Sequence, residues 1–345
     1  MKSITVPAIA LVFGALLVVP HTATAQPAPP AAASCSPVGD LSFVCGVVNV
    51  EDFVPVDGGR WLVAGSLMEG SAGLYLIDTA AKTSKPVVLS KASRPDPIYA
   101  GCAAPDLKKL STHGLEVVPG AAGITTVYAI NHGGRESVEV FRLNAAKGSA
   151  EWVGCMVMPA GASGNSIAAL PNGSVAISKF QDTTDKDSIQ HILAGQINGV
   201  VYLWTPGKGF SEIPGTQLSG ANGLAVSHDG KWLIVNAWGT QEIYRVPLSG
   251  NGQRSSVKVD FRPDNLRWAP DGKLFVTGQF LNPQALAGRH GWATARLDPD
   301  TMTVTPVVKE PGLPVFDDAT SAVQVGKTLW FGTFRGDRVA YRPAP

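Results

Sequence analysis

"GANGLAVSHDGKWLIVNAWG", residues 220–239, sets two apolar runs around an Asp-Gly pair and opens on a polar Asn222-Gly223. Asp-Gly or Asn-Gly between apolar runs is the strongest short-range signal of a β-hairpin, because the favoured turn needs positive φ at its central residues. Asp229-Gly230 supplies that turn, which leaves Asn222 without a task. Alone, Asn-Gly is ordinarily a turn of its own. The form recurs, however. "RPDNLRWAPDGKLFVTG" from Arg262, "ASGNSIAALPNGSVAIS" from Ala162 and "VEDFVPVDGGRWLVAG" from Val50 each repeat a polar start, apolar residues, a turn and an apolar strand. "STHGLEVVPGAAGITTVYAIN" from Ser111 does so with a longer turn, and "DDATSAVQVGKTLWFG" from Asp317 is a weaker sixth copy.

The leading polar residues are Glu51, His113, Asn165, Asn222, Asp264 and Asp317, 42 to 62 residues apart. That is the spacing of four-stranded propeller blades. The chain is therefore expected to be all-β, a six-bladed β-propeller over residues 38–345. Segments such as "GLYLID", "VEVFRL", "VVYLWTP", "EIYRVPL" and "ATARLD" supply further strands and alternate as half-buried strands do. Helical periodicity is confined to Asp185–Gly195, where Ile189, Ile192 and Leu193 share a face and Thr184 is placed to cap. In a propeller the first strand of every blade lines the central channel. A polar residue at the same repeat position of each blade then builds a ring at one mouth, and Asn222 becomes a ring member rather than a turn residue.

Glu51, Asn165, Asn222, Asp264 and Asn265 offer two carboxylates and three amides to this ring. Hard oxygens without Cys favour Ca²⁺ over zinc or copper, so a central-channel metal site is expected. Neighbouring strand residues face opposite ways. Asp264 and Asn265 can both reach the ring only where the strand is irregular; otherwise the pair is an Asx turn. His113 holds the ring position of its blade and His132 ends the next strand, so both imidazoles can meet at one mouth. An imidazole beside a metal is suited to general-base chemistry, although a lone histidine is more often structural.

Lys plus Arg number 28 and Asp plus Glu 27, with no basic run, which disfavours nucleic acid and anionic membrane surfaces as partners. Lys2, the apolar run Ile4–Val19 and Ala23-Thr24-Ala25 read as a signal peptide over residues 1–25, followed by a Pro/Ala-rich disordered leader over 26–37. After its removal no strong membrane signal remains, and a secreted or periplasmic protein is expected. Cys35 lies too far beyond the apolar run to be an acylated lipoprotein cysteine. Four cysteines in an exported chain imply two disulfides. Of the three connectivities, Cys35–Cys45 and Cys102–Cys155 are expected, which leaves no thiol nucleophile. No CxxC, HExxH or GxSxG occurs, and the "GKT" at 326–328 has Ser321 where a P-loop needs its first glycine.

"VEDFVPVDGGRWLVAGSL", "THGLEVV", "VYAINHGGRESVEVFRL", "GNSIAALPNG", "GANGLAVSHDGKWLIV" and "PDNLRWAPDGKLFV", in that order, resemble segments of the paraoxonase/arylesterase family. That family lies within the gluconolactonase-like (senescence marker protein/strictosidine-synthase-like) six-bladed propellers. The resemblance runs from about Val50 to Gly278. It implies a calcium-dependent hydrolase of lactones, with side activity on aryl esters. One catalytic Ca²⁺ would be held by Glu51, Asn165, Asn222, Asp264 and Asn265, with His113 as base on the attacking water and His132 supporting it. It also implies a second, structural calcium at Asp52 and the Leu115 carbonyl, a site weakened here by Ser166 in place of an acidic residue. The family's terminal disulfide has no counterpart after Cys155, so closure is expected from pairing of the Leu41–Val50 region with the terminal "RVAYRP". Loops Glu69–Gly73, Phe180–Gln190 and Gln279–Gly291, with a rim of Phe180, Trp238, Phe280 and Phe316, are the expected walls of a pocket for a small lactone or ester. The rival readings are a sugar lactonase of gluconolactonase type and a non-catalytic propeller with structural calcium.

Overall fold

The computed structural model describes residues 35–99, 101–281 and 288–345. The expected signal peptide and nearly all of the leader lie outside them. Six antiparallel sheets follow one another along the chain, and each inner strand begins with one of the repeated segments. Blade 1 is Phe53–Val56, Trp61–Gly65, Leu74–Asp78 and Thr83–Pro86; blade 2 is Thr112–Pro119, Ile124–Asn131, Ser137–Asn144 and Ser149–Val157. Blade 3 runs Ala162–Ala169, Val175–Asp182, Val200–Thr205 and Gly209–Glu212, and blade 4 runs Ala221–Val226, Trp232–Ala237, Glu242–Pro247 and Ser255–Lys258. Blade 5 is Arg262–Trp268, Leu274–Gln279, Trp292–Asp298 and Thr303–Glu310. Blade 6 is Ala319–Val325, Thr328–Thr333 and Arg338–Pro343, completed on its outer edge by Ser42–Cys45 from the other end of the chain.

That last pairing closes the ring as the sequence suggests: Phe43 lies opposite Ala340 and Cys45 opposite Arg338. Cys35–Cys45 and Cys102–Cys155 are the two disulfides, with Cα separations of 6.1 and 6.0 Å. A fifth strand, Val88–Lys91, joins blade 2 in parallel with Ser149–Val157, an addition that no repeat announces.

Six apolar clusters fill the six gaps between neighbouring blades, Phe53 and Leu62 with Trp330 and Val339 in one, Ile234 and Ile243 with Leu266 and Leu274 in another. A middle strand is therefore covered on both faces. Leu74–Asp78 is buried along its whole length, where alternation alone suggests a half-buried strand. Burial on two faces yields continuous apolar runs, as in any sheet sandwiched between layers. The helix is shorter than expected, Ser188–Leu193, and Thr184 does not cap it. Its hydroxyl donates instead to Asp182 at 2.6 Å.

Candidate metal and catalytic centre

Every inner strand from blade 2 to blade 6 slips register at the ring: between Thr112 and Leu115, Gly164 and Ile167, Ala221 and Leu224, Pro263 and Leu266, and Ala319 and Ser321. A bulge leaves residues unpaired and re-aims their side chains. This is the irregularity that Asp264 and Asn265 require. Asn265 Nδ2 donates to Glu51 Oε1 at 2.5 Å, while Asp264 accepts from Gln279 Nε2 at 2.7 Å. Adjacent residues thus both act at the channel mouth. The glycine after a ring residue serves the same geometry. A Cβ on Gly223 would stand 2.2 Å from the Asp264 carbonyl oxygen, and one on Gly114 2.1 Å from that of Asn165. Neighbouring inner strands touch there, so Asn222-Gly223 is a ring residue plus a close approach, not a turn.

Glu51, Asn165, Asn222, Asp264 and Asn265 are all buried. Among the described residues Glu51 Oε2, Asn165 Oδ1, Asn222 Oδ1 and Asn265 Oδ1 have no hydrogen-bond partner. Folded proteins pair nearly all such atoms, so four orphaned oxygens in one ring need an explanation. Burial, then the charge of Asp52, holds the Glu51 carboxyl well above the usual carboxylate range. Burial, then Glu51, pushes Asp264 up to about 8. The ring lacks a positive charge, and a hard cation would satisfy both its electrostatics and its unpaired oxygens. These five residues fit a calcium ion by that test. No group of three or more His, Cys, Asp or Glu side chains arranged for a metal occurs among the described residues; three of the five donors here are amides.

Blade 6 departs from the expected ring. Thr320, not Asp317, faces the cavity, and its hydroxyl donates to the Glu51 carbonyl at 2.5 Å. Asp317 lies three residues too early; its neighbour Asp318 pairs with His290 at 2.8 Å and Arg335 at 2.7 Å. The expected second metal position is likewise filled by protein. Asp52 and the Leu115 carbonyl do converge, but on Arg267, whose Nη2 donates to both, at 2.6 Å to the carbonyl, while its Nε reaches Asp52 at 3.1 Å. Asp52 and Glu116 raise the guanidinium pKa, more than offsetting burial. A permanent cation stands where a second calcium was expected, and the residues there do not fit an ion.

His113 Nδ1 and His132 Nε2 are 2.9 Å apart. His113 Nε2 faces the ring, 3.5 Å from Glu51 Oε2 and 3.4 Å from Asn165 Nδ2. Burial lowers the pKa of His113, which favours the neutral imidazole. On the far side His132 Nδ1 lies 3.0 and 2.9 Å from the two oxygens of Glu136, a residue the sequence reading passed over. A carboxylate four residues after a histidine, across a Gly-Gly-Arg bend, is the signal that could have found it.

Ring and histidines form the floor of a cavity of ≈ 600 Å³. Phe180 and Trp238 line it as expected, edge to face at 5.6 Å, together with Leu67, Ile189, Leu281 and Phe334. Phe280 and Phe316 do not; they pack against Phe261 and against Phe43 and Trp292 between blades. Of the expected wall loops, Phe180–Gln190 contributes most, the segment from Gln279 contributes Gln279 and Leu281, and Leu67 lines the cavity in place of Glu69–Gly73. Residues 282–287 lie outside the described residues.

No protein-family model and no curated protein sequence matches this chain. Solved structures do. The chain is similar to the luciferin-regenerating enzyme at a TM-score of 0.57 and 13% identity, over 87% of this chain and 92% of that one. A gluconolactonase from Xanthomonas campestris gives 0.55 and 18% over 88% and 89%. Regucalcin, a calcium-binding protein from Agrobacterium tumefaciens, gives 0.53 and 12% over 88% and 93%. At these identities the likeness is one of fold. The chain is a six-bladed β-propeller whose structural neighbours are of the gluconolactonase and regucalcin kind.

Proposed function

We propose that this protein is an exported, calcium-dependent hydrolase of lactones, of paraoxonase-like type and with side activity on aryl esters. One observation carries the reading: four unpaired buried oxygens from four blades stand beside two linked imidazoles, on the floor of an apolar-walled cavity. Glu51, Asn165, Asn222, Asp264 and Asn265 would hold the ion. Calcium, when bound, supplies positive charge that polarises a carbonyl. The chain's own residues do the rest. His113 Nε2 takes a proton from water as the water oxygen bonds to the carbonyl carbon. The ring C–O bond then breaks, and the same nitrogen returns the proton to the departing alkoxide. His132 holds His113 through its 2.9 Å contact.

The names of the structural neighbours favour a second reading, a sugar lactonase. Ser163, Gln181 and Thr183 give the wall some polar groups, but Leu67, Phe180, Ile189, Trp238, Leu281 and Phe334 outweigh them and favour an alkyl chain over a sugar ring. Export is supported by the two disulfides, which persist in oxidising compartments. No helix among the described residues is long and apolar enough to cross a membrane.

The test is hydrolysis of γ- and δ-alkyl lactones, an aldonolactone and phenyl acetate, before and after EDTA and with calcium restored. Alkyl lactone turnover is expected to vanish with EDTA, return with calcium, and fall by roughly 10²–10⁴ in His113→Gln, the range of a positioned general base. Asn222→Ala is expected to need more calcium for the same rate. Turnover of the aldonolactone alone would select the sugar lactonase. No turnover, with a melting temperature that still tracks calcium, would make the ring a structural clasp.

A further inference from the structure

The contacts of the two histidines run in one direction. Glu136 offers only acceptor oxygens at His132 Nδ1, 3.0 and 2.9 Å away, so that nitrogen carries the proton. His132 Nε2 is then a lone pair, and at 2.9 Å it accepts from His113 Nδ1–H. That leaves the lone pair of His113 on Nε2, the nitrogen that faces the ring beside Glu51 Oε2 and Asn165 Nδ2. With both rings neutral, each imidazole then carries its proton on Nδ1, the minor tautomer of free histidine. Without Glu136 nothing prevents the reverse order, with His132 donating to His113 and His113 Nε2–H pointing at the ring as a donor that can take no proton from water.

Glu136 is well placed to set this order. It lines the cavity, its side chain is 28% exposed, and its Oε2 also lies 3.4 Å from the backbone nitrogen of Gly164, just before ring residue Asn165. A partly exposed hydrogen bond of this kind contributes little to stability; a carboxylate that selects the tautomer of a general base contributes to rate.

We propose that Glu136 is a positioning residue whose carboxylate fixes the tautomers of His132 and, through it, His113, so that a basic nitrogen faces the substrate. The proposal rests on the hydrolase reading above for its consequence in turnover, and on the hydrogen-bond chain for its structure. In serine proteases, losing the carboxylate behind the catalytic imidazole while keeping its shape costs about 10⁴ in kcat through the wrong tautomer.

The experiment pairs kinetics with long-range ¹H–¹⁵N correlation spectra of the ¹⁵N-histidine-labelled protein, which report the protonated nitrogen of each neutral ring. The parent chain is expected to show Nδ1–H at both His113 and His132. Glu136→Gln is expected to lose that pattern and to drop kcat on alkyl lactones by roughly 10²–10⁴ with KM within about threefold. Glu136→Asp, which keeps the charge, is expected to recover the tautomers and part of the rate. A merely structural Glu136 would move stability but neither tautomers nor the split between kcat and KM. Nε2–H at His132 in the parent chain, or kcat of Glu136→Gln within about threefold of the parent, overturns the proposal. A parent that hydrolyses no lactone yet shows both Nδ1–H rings, lost in Glu136→Gln, sinks the lactonase reading and upholds the tautomer relay.

Discussion

Glu51 and Asp264 are two buried carboxyl groups held above the usual carboxylate range, Glu51 by burial and then Asp52, Asp264 by burial and then Glu51. In protein stripped of metal, Asp264 titrates at about 8 when folded and near 3.9 when unfolded. Over that window the folded chain keeps a proton that the unfolded chain has released, so stability falls as pH rises. The contribution is fully present below the unfolded value and gone above the folded one; Glu51, raised for the same reason, acts in the same direction. EDTA-treated protein is therefore expected to show a urea midpoint that drops between about pH 5 and about pH 8.5, while saturating calcium flattens or reverses the trend. A midpoint of chelated protein that climbs with pH would contradict the environment assigned to these carboxyls. Residue types in phase were enough to bring Glu51, His113, Asn165, Asn222 and Asp264 to one channel mouth, because propeller symmetry turns sequence register into spatial convergence. Glu136 and Gln279 escaped, since each acts from beyond the repeat position and only folding shows what it touches.

Hairpins were legible from Asp-Gly and Asn-Gly turns, but the bulges at the ring in blades 2 to 6 were not. An extra unpaired residue changes neither composition nor apolar pattern. The slip in blade 6 has the same origin: Asp317 looks like the ring residue by type, whereas the bulge between Ala319 and Ser321 places Thr320 there. The local rule that survives is the glycine behind a ring residue. Gly223 admits the Asp264 carbonyl oxygen and the Asn265 Cα, 2.2 and 2.8 Å from where a Cβ would sit, and both obstacles are backbone. Gly223→Ala is expected to force blades 4 and 5 apart at the ring, costing about 1–3 kcal/mol as overpacking does. Calcium affinity should fall with it, because Asn222 and Asp264 separate. Urea unfolding and calcium titration of the same variant check the two effects together. Unchanged values for both would mean that the inner strands have slack the geometry denies.

A propeller has no central core; its blades pack on one another around a channel, and something must hold the inner strands inward. Here that channel contains a fixed cation and, in the function proposed above, an exchangeable one. Arg267 of blade 5 reaches Asp52, just before the first strand of blade 1, and the carbonyl of Leu115 in blade 2. Its side chain is 8% exposed and that of Asp52 fully buried. Three blades are thus tied by a guanidinium that no chelator removes. Calcium titration is expected to saturate at one ion per chain, and EDTA to abolish turnover while leaving a cooperative melt. Arg267→Met should do the opposite to the fold, destabilising by about 3–5 kcal/mol because Asp52 is left buried and unpaired. Asp52→Asn in the same chain is expected to recover much of that loss, since the penalty belongs to the orphaned charge rather than to the missing contact. If chelation alone unfolded the protein as far as Arg267→Met does, the ring ion rather than Arg267 would be what holds the channel. With no disulfide joining its ends, the fold is closed by Ser42–Cys45 pairing with Arg338–Pro343 in blade 6, while the charge at its axis ties blades 5, 1 and 2.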